Sequence, residues 1–408
     1  MTEAKFYGRP WLVGLTGYVK RDGTTELTGD WNAGNYKIDS QNSLRWFNVK
    51  AYGATGDGTT DDRTAIVNTI SAAGAVKGVV YFPPGSYKIS ATISVTPPIA
   101  FVGDDRDASI ILLPDNSVGF DFATHPGGLL PAVWFRDLQF KTFSGGAATS
   151  GAFIYVHTSP SDLQFFMDRC KIGYHYRGLV LNSIEYSTIS RTMFIISNNT
   201  AGSSDIHIEN INNPDAGDIT ISDCHFSTGT VSSINIKVAG GVRIVNNKFG
   251  GQPAGQYILV DIPIGIATGL LFVNENSFQG YPVNAHIRFA TSGIFNISII
   301  TGNEFTIYAD SAPAHIVLAP DATAFLYGLT ITGNFFIDGA YAIHMDPAGV
   351  DGIQSCVIDG NNFYFQSTTA IRLPNVAGRC FNINIGNNGF LPDGATSYVT
   401  GDISGHAL

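Results

Sequence analysis

Charge is scarce in this chain of 408 residues: Asp, Glu, Lys and Arg together make up 14% of it. The formal net charge is −10 and basic residues nowhere cluster, which argues against nucleic acid or an anionic membrane as the main partner. No apolar run approaches the ~18 residues of a membrane-spanning helix. The opening MTEAKFYGRPW carries Glu3 and no apolar core of signal-peptide length, so export through a cleaved leader is not expected. Cysteine is nearly absent. Cys170 and Cys224 would lie two rungs apart in the repeat described below, near ~10 Å, too far for a disulfide. With Cys356 and Cys380 they read as free buried thiols of a protein made in a reducing cytoplasm. Also missing are HExxH, CxxC, GK[ST], GxGxxG and GxSxG, so no cofactor, phosphate cradle, metal centre or serine elbow is specified. Asp57, Asp61 and Asp62 could hold Ca²⁺, but the loop lacks the twelfth-position Glu and helix capping accounts for them.

Aromatic residues and glycine are plentiful, with 27 Phe, 17 Tyr and 46 Gly. From about Ile221 onward one pattern returns: an apolar alternation, then Asn, any residue, Phe. It occurs at Asn247/Phe249, Asn276/Phe278, Asn303/Phe305, Asn334/Phe336, Asn361/Phe363 and Asn388/Phe390, at intervals of 27 to 31 residues. Such a period marks a solenoid, whose repeats bury their apolar faces only by stacking on one another. The flanking strands alternate with period two, which is strand spacing. The Phe column would form a continuous interior stack. The Asn column would supply the left-handed bend between strands and amide bonds to the rungs above and below, ~4.8 Å away. The expectation is an all-β, single-chain parallel β-helix of about ten or more coils.

Residues 1–44 lack the repeat and read as a lead-in with a short strand, turn and strand around Trp31 and Tyr36. Residues 45–113 read as a cap: a strand at 46–50, a Gly-rich loop, and a helix from about Asp62 to Ala73 with Ala65, Ile66, Thr69 and Ile70 on its apolar face. That helix would cover the raw end of the first coil. Residues 114–408 hold the coils and the C-terminal end.

The stretches FNVKAYGATGDGTTDDRTAI, GVVYFPPGSYKI and FVGDDRDASII resemble the opening of the pectate-lyase-like superfamily, which includes bacteriophage tailspikes and capsule depolymerases. The resemblance implies a right-handed parallel β-helix that acts on a bacterial polysaccharide. It also implies a homotrimer carried on a virion tail, made in the host cytoplasm and acting outside the cell. It is close over about 46–113 and extends to the coils in architecture alone. It fixes chemistry weakly, since hydrolases, lyases, epimerases and non-catalytic spikes share the fold.

Aligning one strand per coil gives two outward rows. The first runs Tyr155, Val180, His207, Asn235, Leu259, Arg288, Val317, His344, Arg372. The second runs His157, Asn182, Glu209, Lys237, Asp261, Ala290, Ala319, Asp346, Pro374. A sugar chain laid along the axis would meet a new contact every ~5 Å. Glycoside hydrolysis needs two carboxyl groups, and Glu209 and Asp261, two rungs apart, suit the ~6.5–9.5 Å of an inverting pair. His207, Lys237, Arg288, His157 and Tyr155 would bind substrate. A second candidate cluster is His344, Asp346 and Arg372. A third is Glu185, Tyr186, His175 and Arg177, where Arg177 and Tyr186 would suit β-elimination on a uronate. Hydrolysis is favoured because acids outnumber clustered bases; a sugar-binding spike without catalysis is the other class. Outward Leu259 and Val317 predict a trimer interface along that face.

Overall fold

The computed structural model describes residues 45–123, 132–157, 163–182, 184–197, 199–209, 217–238, 240–307, 314–349, 352–376, 378–391 and 397–400. The chain divides into two compact units, Met1–Leu44 and Arg45–Leu408. The lead-in around Trp31 and Tyr36 lies outside the described residues.

Three parallel sheets run the length of the second unit, two with 13 strands and one with 12. The first sheet begins at Trp46–Asn48 and ends at Cys380–Ile385; the second runs from Asp57–Asp61 to Gly389–Leu391; the third runs from Ile93–Ser94 to Ser397–Thr400. Each coil visits the three in that order, so every strand pairs with the strand one coil away. This is the expected parallel β-helix. Sequence period two becomes burial period two: in Val242–Val245 the two Val/Ile positions 242 and 244 are buried while Arg243 is exposed.

The corner between the first and second sheets carries the Asn column. Asn276 donates from Nδ2 to Ile244 O at 2.8 Å and to Asn303 Oδ1 at 3.0 Å, and its backbone N–H reaches the same Oδ1 at 2.9 Å. The arrangement repeats at Asn247, Asn303, Asn334 and Asn361, with Asn388 as the last acceptor. The left-handed backbone, however, belongs to the residue before each ladder Asn. Asn246, Glu275, Gly302, Gly333 and Gly360 have φ of 55°, 57°, 66°, 64° and 63°. The ladder Asn is selected for its amide, which satisfies buried backbone carbonyls at a corner no water reaches.

Inside, the Phe column stacks with centroids 4.6 to 5.2 Å apart from Phe194 through Phe226, Phe249, Phe278, Phe305, Phe336 and Phe363 to Phe390. Cys170, Cys224, Cys356 and Cys380 are free and buried. Tyr257, His286 and His315 form a shorter parallel stack, and the two Nδ1 atoms of the His pair meet at 2.9 Å. One imidazole must donate and the other accept, so the two rings cannot both be protonated.

At the N-terminal end the helix Arg63–Gly74 buries Ala65, Ile66, Thr69, Ile70 and Ala73. Of its preceding acids, Asp57 and Asp62 serve the loop, and Asp61 accepts from the first N–H of the helix. Asp62 accepts from Thr55 N, Thr55 Oγ1 and Gly56 N, not from the helix; Asp57 accepts from Thr59 N and Thr60 N; Asp61 accepts from Arg63 N and the Ser90 hydroxyl.

Asn303→Ala strands the Asn276 N–H and one of its amide hydrogens and costs about 3 kcal/mol, at one to three per stranded donor. Phe278→Ala costs ~3–5 kcal/mol through the cavity it leaves, whereas Phe335→Ala, on the outward side two coils further on, costs under ~0.5; urea unfolding midpoints check the order. Burial holds His286 well below the ordinary imidazole range and His315 at about 4. Since the unfolded chain then binds protons first, this stabilisation is complete above pH about 6.5 and is lost as pH falls toward 4. Melting temperatures across that window should fall less steeply in His286→Phe/His315→Phe than in the parent.

Candidate functional site

The third sheet carries the outward rows expected from the sequence. Tyr155 pairs in register with Val180, His207, Asn235, Leu259, Arg288, Val317, His344 and Arg372 on successive coils. One rung earlier the row includes Asp121.

Ionisable groups gather at the N-terminal end of this face. His157 Nε2 lies 2.7 Å from Asp121 Oδ1, and the Tyr155 ring stacks on the His157 ring at 4.3 Å. Together they form a flat, half-buried aromatic shelf braced by a carboxylate. Further along, His207 Nε2 lies 2.9 Å from Glu209 Oε2. His207 is 1% exposed and the Glu209 side chain 18%. The His therefore lies beneath the surface and points the carboxylate outward. The His207 hydrogen bond holds the Glu209 carboxyl below the usual carboxylate range against the opposing effect of burial, helped by His207, Arg177 and Lys237 charge. Burial depresses His207 in turn, with the Glu209 hydrogen bond opposing it. A neutral His207 that donates Nε2–H leaves Nδ1 bare, and that atom is buried without a partner. An unmet buried acceptor costs roughly 1–3 kcal/mol, a tension that folds keep at functional positions. Burial, then the charges of Glu209 and Asp121, raises the Tyr155 hydroxyl above its ordinary range.

Several candidates sit differently from their sequence expectation. Ladder register shifts between Ile208 and Glu209, so that Glu209 opposes Val238 and Lys237 is the extra residue of a bulge. Lys237 thus does not stand directly across from Glu209, although its charge acts on it. Asp261 extends its strand, its N–H bonded to Ile236 O at 2.9 Å, and is half-buried. Arg288 faces outward with its Nε buried and without a partner.

The third cluster is dispersed. His175 is fully buried, 2.7 Å from an equally buried Asp205 and edge-on to Phe153. Glu185 and Tyr186 lie past the far end of the strand Arg177–Asn182 that Arg177 opens. The His-x-Arg spacing hides the turn that sends His175 inside. Of the second cluster, Arg372 and His344 gather on Tyr341: Arg372 Nη1 donates to the Tyr341 hydroxyl at 2.9 Å and lies over its ring, His344 packs 5.2 Å from that ring, and Asp346 is exposed one residue beyond Met345. Sequence reading missed Tyr341 and Asp121. Asp121 was findable, since FDF alternates one coil before FIYVH.

A sequence model for the family described as rhamnogalacturonase A/epimerase, pectate lyase-like, matches residues 46–262. The mannuronan C5-epimerase AlgE6 of Azotobacter vinelandii is 56% identical over 46 residues, 11% of this chain and 5% of that protein. The chain thus spans a small part of the curated relatives it matches, 4% to 12% of their length. Among solved structures, the A-module of the A. vinelandii mannuronan C-5 epimerase AlgE4 superposes with a TM-score of 0.62 at 14% identity, over 89% of this chain and 99% of that one. A mutant tailspike protein of E. coli bacteriophage HK620 in complex with a pentasaccharide gives 0.59 at 12% identity, over 87% and 80%.

The coupling inside the His207–Glu209 pair is open to titration. Glu209→Gln removes the charge and weakens the hydrogen bond that support imidazolium, so His207 should titrate at lower pH than in the parent; Arg177→Met removes an opposing cation and should move it up. Ring resonances of His207 followed by NMR check both signs.

Proposed function

Because the chain belongs to the rhamnogalacturonase A/epimerase, pectate lyase-like family, we propose that it is a tailspike-like depolymerase that hydrolyses a bacterial capsular or exopolysaccharide laid along its third sheet. It would act outside the host cell, on the tail of a phage particle. One observation carries this reading. Glu209 is an outward carboxylate, fixed and kept ionised by a buried His, among Tyr155, His157, Arg177 and Lys237 on a face that continues in register for the length of the solenoid.

An ionised, oriented carboxylate suits the base. Glu209 takes a proton from water as that water attacks the anomeric carbon, and the bond from carbon to the glycosidic oxygen breaks. The acid role falls to Asp261, which gives its proton to the departing oxygen. Two rungs separate their backbones by ~9–10 Å, within side-chain reach of the ~6.5–9.5 Å inverting arrangement. His207 is a positioning residue. The Tyr155–His157 shelf offers a sugar ring a flat apolar surface, and Lys237 and Arg288 supply donors to its hydroxyl or acidic groups.

A second reading, β-elimination on a uronate, has Glu209 take the α-proton, Arg177 stand as the cation beside the uronate carboxylate, and Tyr155, a phenol whose proton is strongly held, give that proton to the departing oxygen as the carbon–oxygen bond breaks.

The test is depolymerisation of purified capsule or exopolysaccharide. Hydrolysis predicts falling viscosity with new reducing ends and no ultraviolet chromophore, and a loss of about 10²–10⁴ in rate for Glu209→Gln and for Asp261→Asn. Because the Glu209 carboxyl is held low, the acid limb of the rate profile should lie below the ordinary carboxylate range. An unsaturated-uronate chromophore, with Tyr155→Phe and Arg177→Met the damaging changes, marks elimination instead. Binding without shortening removes the enzyme reading.

A further inference from the structure

Away from the polar face, the outer side of the first sheet changes character in its last five strands. Its earlier strands carry Arg136, Asp168 and Arg243. The last five, Ala267–Asn274, Ile294–Thr301, Phe325–Thr332, Ile353–Asp359 and Cys380–Ile385, contain one ionisable carboxylate, Asp359. It sits at the end of its strand and accepts the Asn387 N–H at 2.6 Å. A chain of net charge −10 thus presents a wide surface almost without charge. Large apolar side chains stand out from it: Leu270 is 42% exposed, Ile297 49% and Phe381 60%.

Two of these residues are held at a conformational cost. Leu270, Ile297, Gly328, Ser355 and Asn382 occupy equivalent places in the five strands, with φ of 67°, 53°, 64°, 55° and 54°. Strand pairing steps over each of them, passing from Gly269↔Asn296 to Leu271↔Ser298 and from Gln354↔Phe381 to Cys356↔Ile383. They form a column of aligned left-handed kinks, with register kept on either side. Gly and Asn adopt that region readily, whereas a β-branched residue there is a steric outlier. Packing within the coil offsets only part of that cost at Ile297 and Leu270, since each leaves nearly half of its surface in solvent. Strain of this kind at an exposed position points to a contact outside the folded coil.

We propose that this face is the contact surface for a second copy of the chain, packed side by side along the solenoid, with Leu270, Ile297 and Phe381 at its centre. The occupant is argued from charge and from area. Copies that each carry −10 repel over most of their surfaces and approach at least cost where the charge is absent. Five strands ~4.8 Å apart and about seven residues long make a flat footprint near ~500–600 Å² per copy, enough for the ~1,000 Å² total that separates specific interfaces from chance contacts. This places the contact on a different sheet from Leu259 and Val317, which are half-buried. The third sheet stays free, so the proposal stands independently of the catalytic reading.

Sedimentation velocity and light scattering of the full chain over a hundredfold range of micromolar concentrations test it. The expected result is an oligomer that tightens as salt screens the repulsion. Ile297→Asp/Phe381→Asp should weaken association at least tenfold without altering the circular dichroism spectrum, while Val317→Asp leaves it unchanged. Ile297→Gly separates contact from fold: it suits the left-handed backbone, so its melting temperature, read at a concentration where the parent is dissociated, should hold or rise while association weakens. A monomer at every concentration overturns the proposal. So does an oligomer indifferent to the first-sheet variants, one that Val317→Asp dissociates, or an Ile297→Gly chain that melts lower yet associates as before.

Discussion

Everything in this molecule depends on keeping successive coils in register, and the constraint is strictest at the corner between the first and second sheets. There, from Asn276 onward, each Asn Oδ1 takes two hydrogen bonds from the coil before, and each Nδ2 returns bonds to neighbouring coils, in a place closed to water. A slip of one residue would break both bonds and drive a Phe out of the interior stack. Because the side-chain period is two, the same slip would also turn the third sheet's polar row inward. Corner and third-sheet face are thus coupled through register alone, without touching.

That coupling explains what the sequence discloses. The Asn and Phe columns are readable because they recur at each coil and because the strands between them alternate. With the coil length in hand, the outward row from Tyr155 to Arg372 follows by counting, and the pairing agrees at every rung. Counting fails where the backbone departs from the period. The bulge after Ile208 takes Lys237 out of line with Glu209, and no residue at that point announces it. The turn before Arg177 sends His175 into the core to meet Asp205, although its position two residues before an outward Arg suggests otherwise. At the corner, the left-handed residue precedes the ladder Asn because the amide must point back along the axis, a demand that propensity alone does not express.

The third sheet shows how a repetitive scaffold can hold a site that is not repetitive. Rungs are equivalent in backbone and differ in side chain, so chemistry is set by which residues fill adjacent outward positions. Near the N-terminal end these are Asp121, Tyr155, His157, His207 and Glu209, each braced by another: carboxylate to imidazole, ring on ring, buried imidazole to carboxylate. Midway the row passes to Leu259 and Val317, and it ends in the Tyr341, His344 and Arg372 group. A polymer lying on this face would meet its reactive groups at one end and hydrogen-bonding groups at the other.

The most direct test is a crystal structure of the Glu209→Gln protein soaked with oligosaccharides cut from bacterial capsular polysaccharides or exopolysaccharides. The account predicts a sugar chain running along the axis across the strands Ala152–His157 to Gln256–Val260, with a glycosidic oxygen between positions 209 and 261. Density for the sugar on the first or second sheet, with the Tyr155–His157 shelf bare, would contradict it.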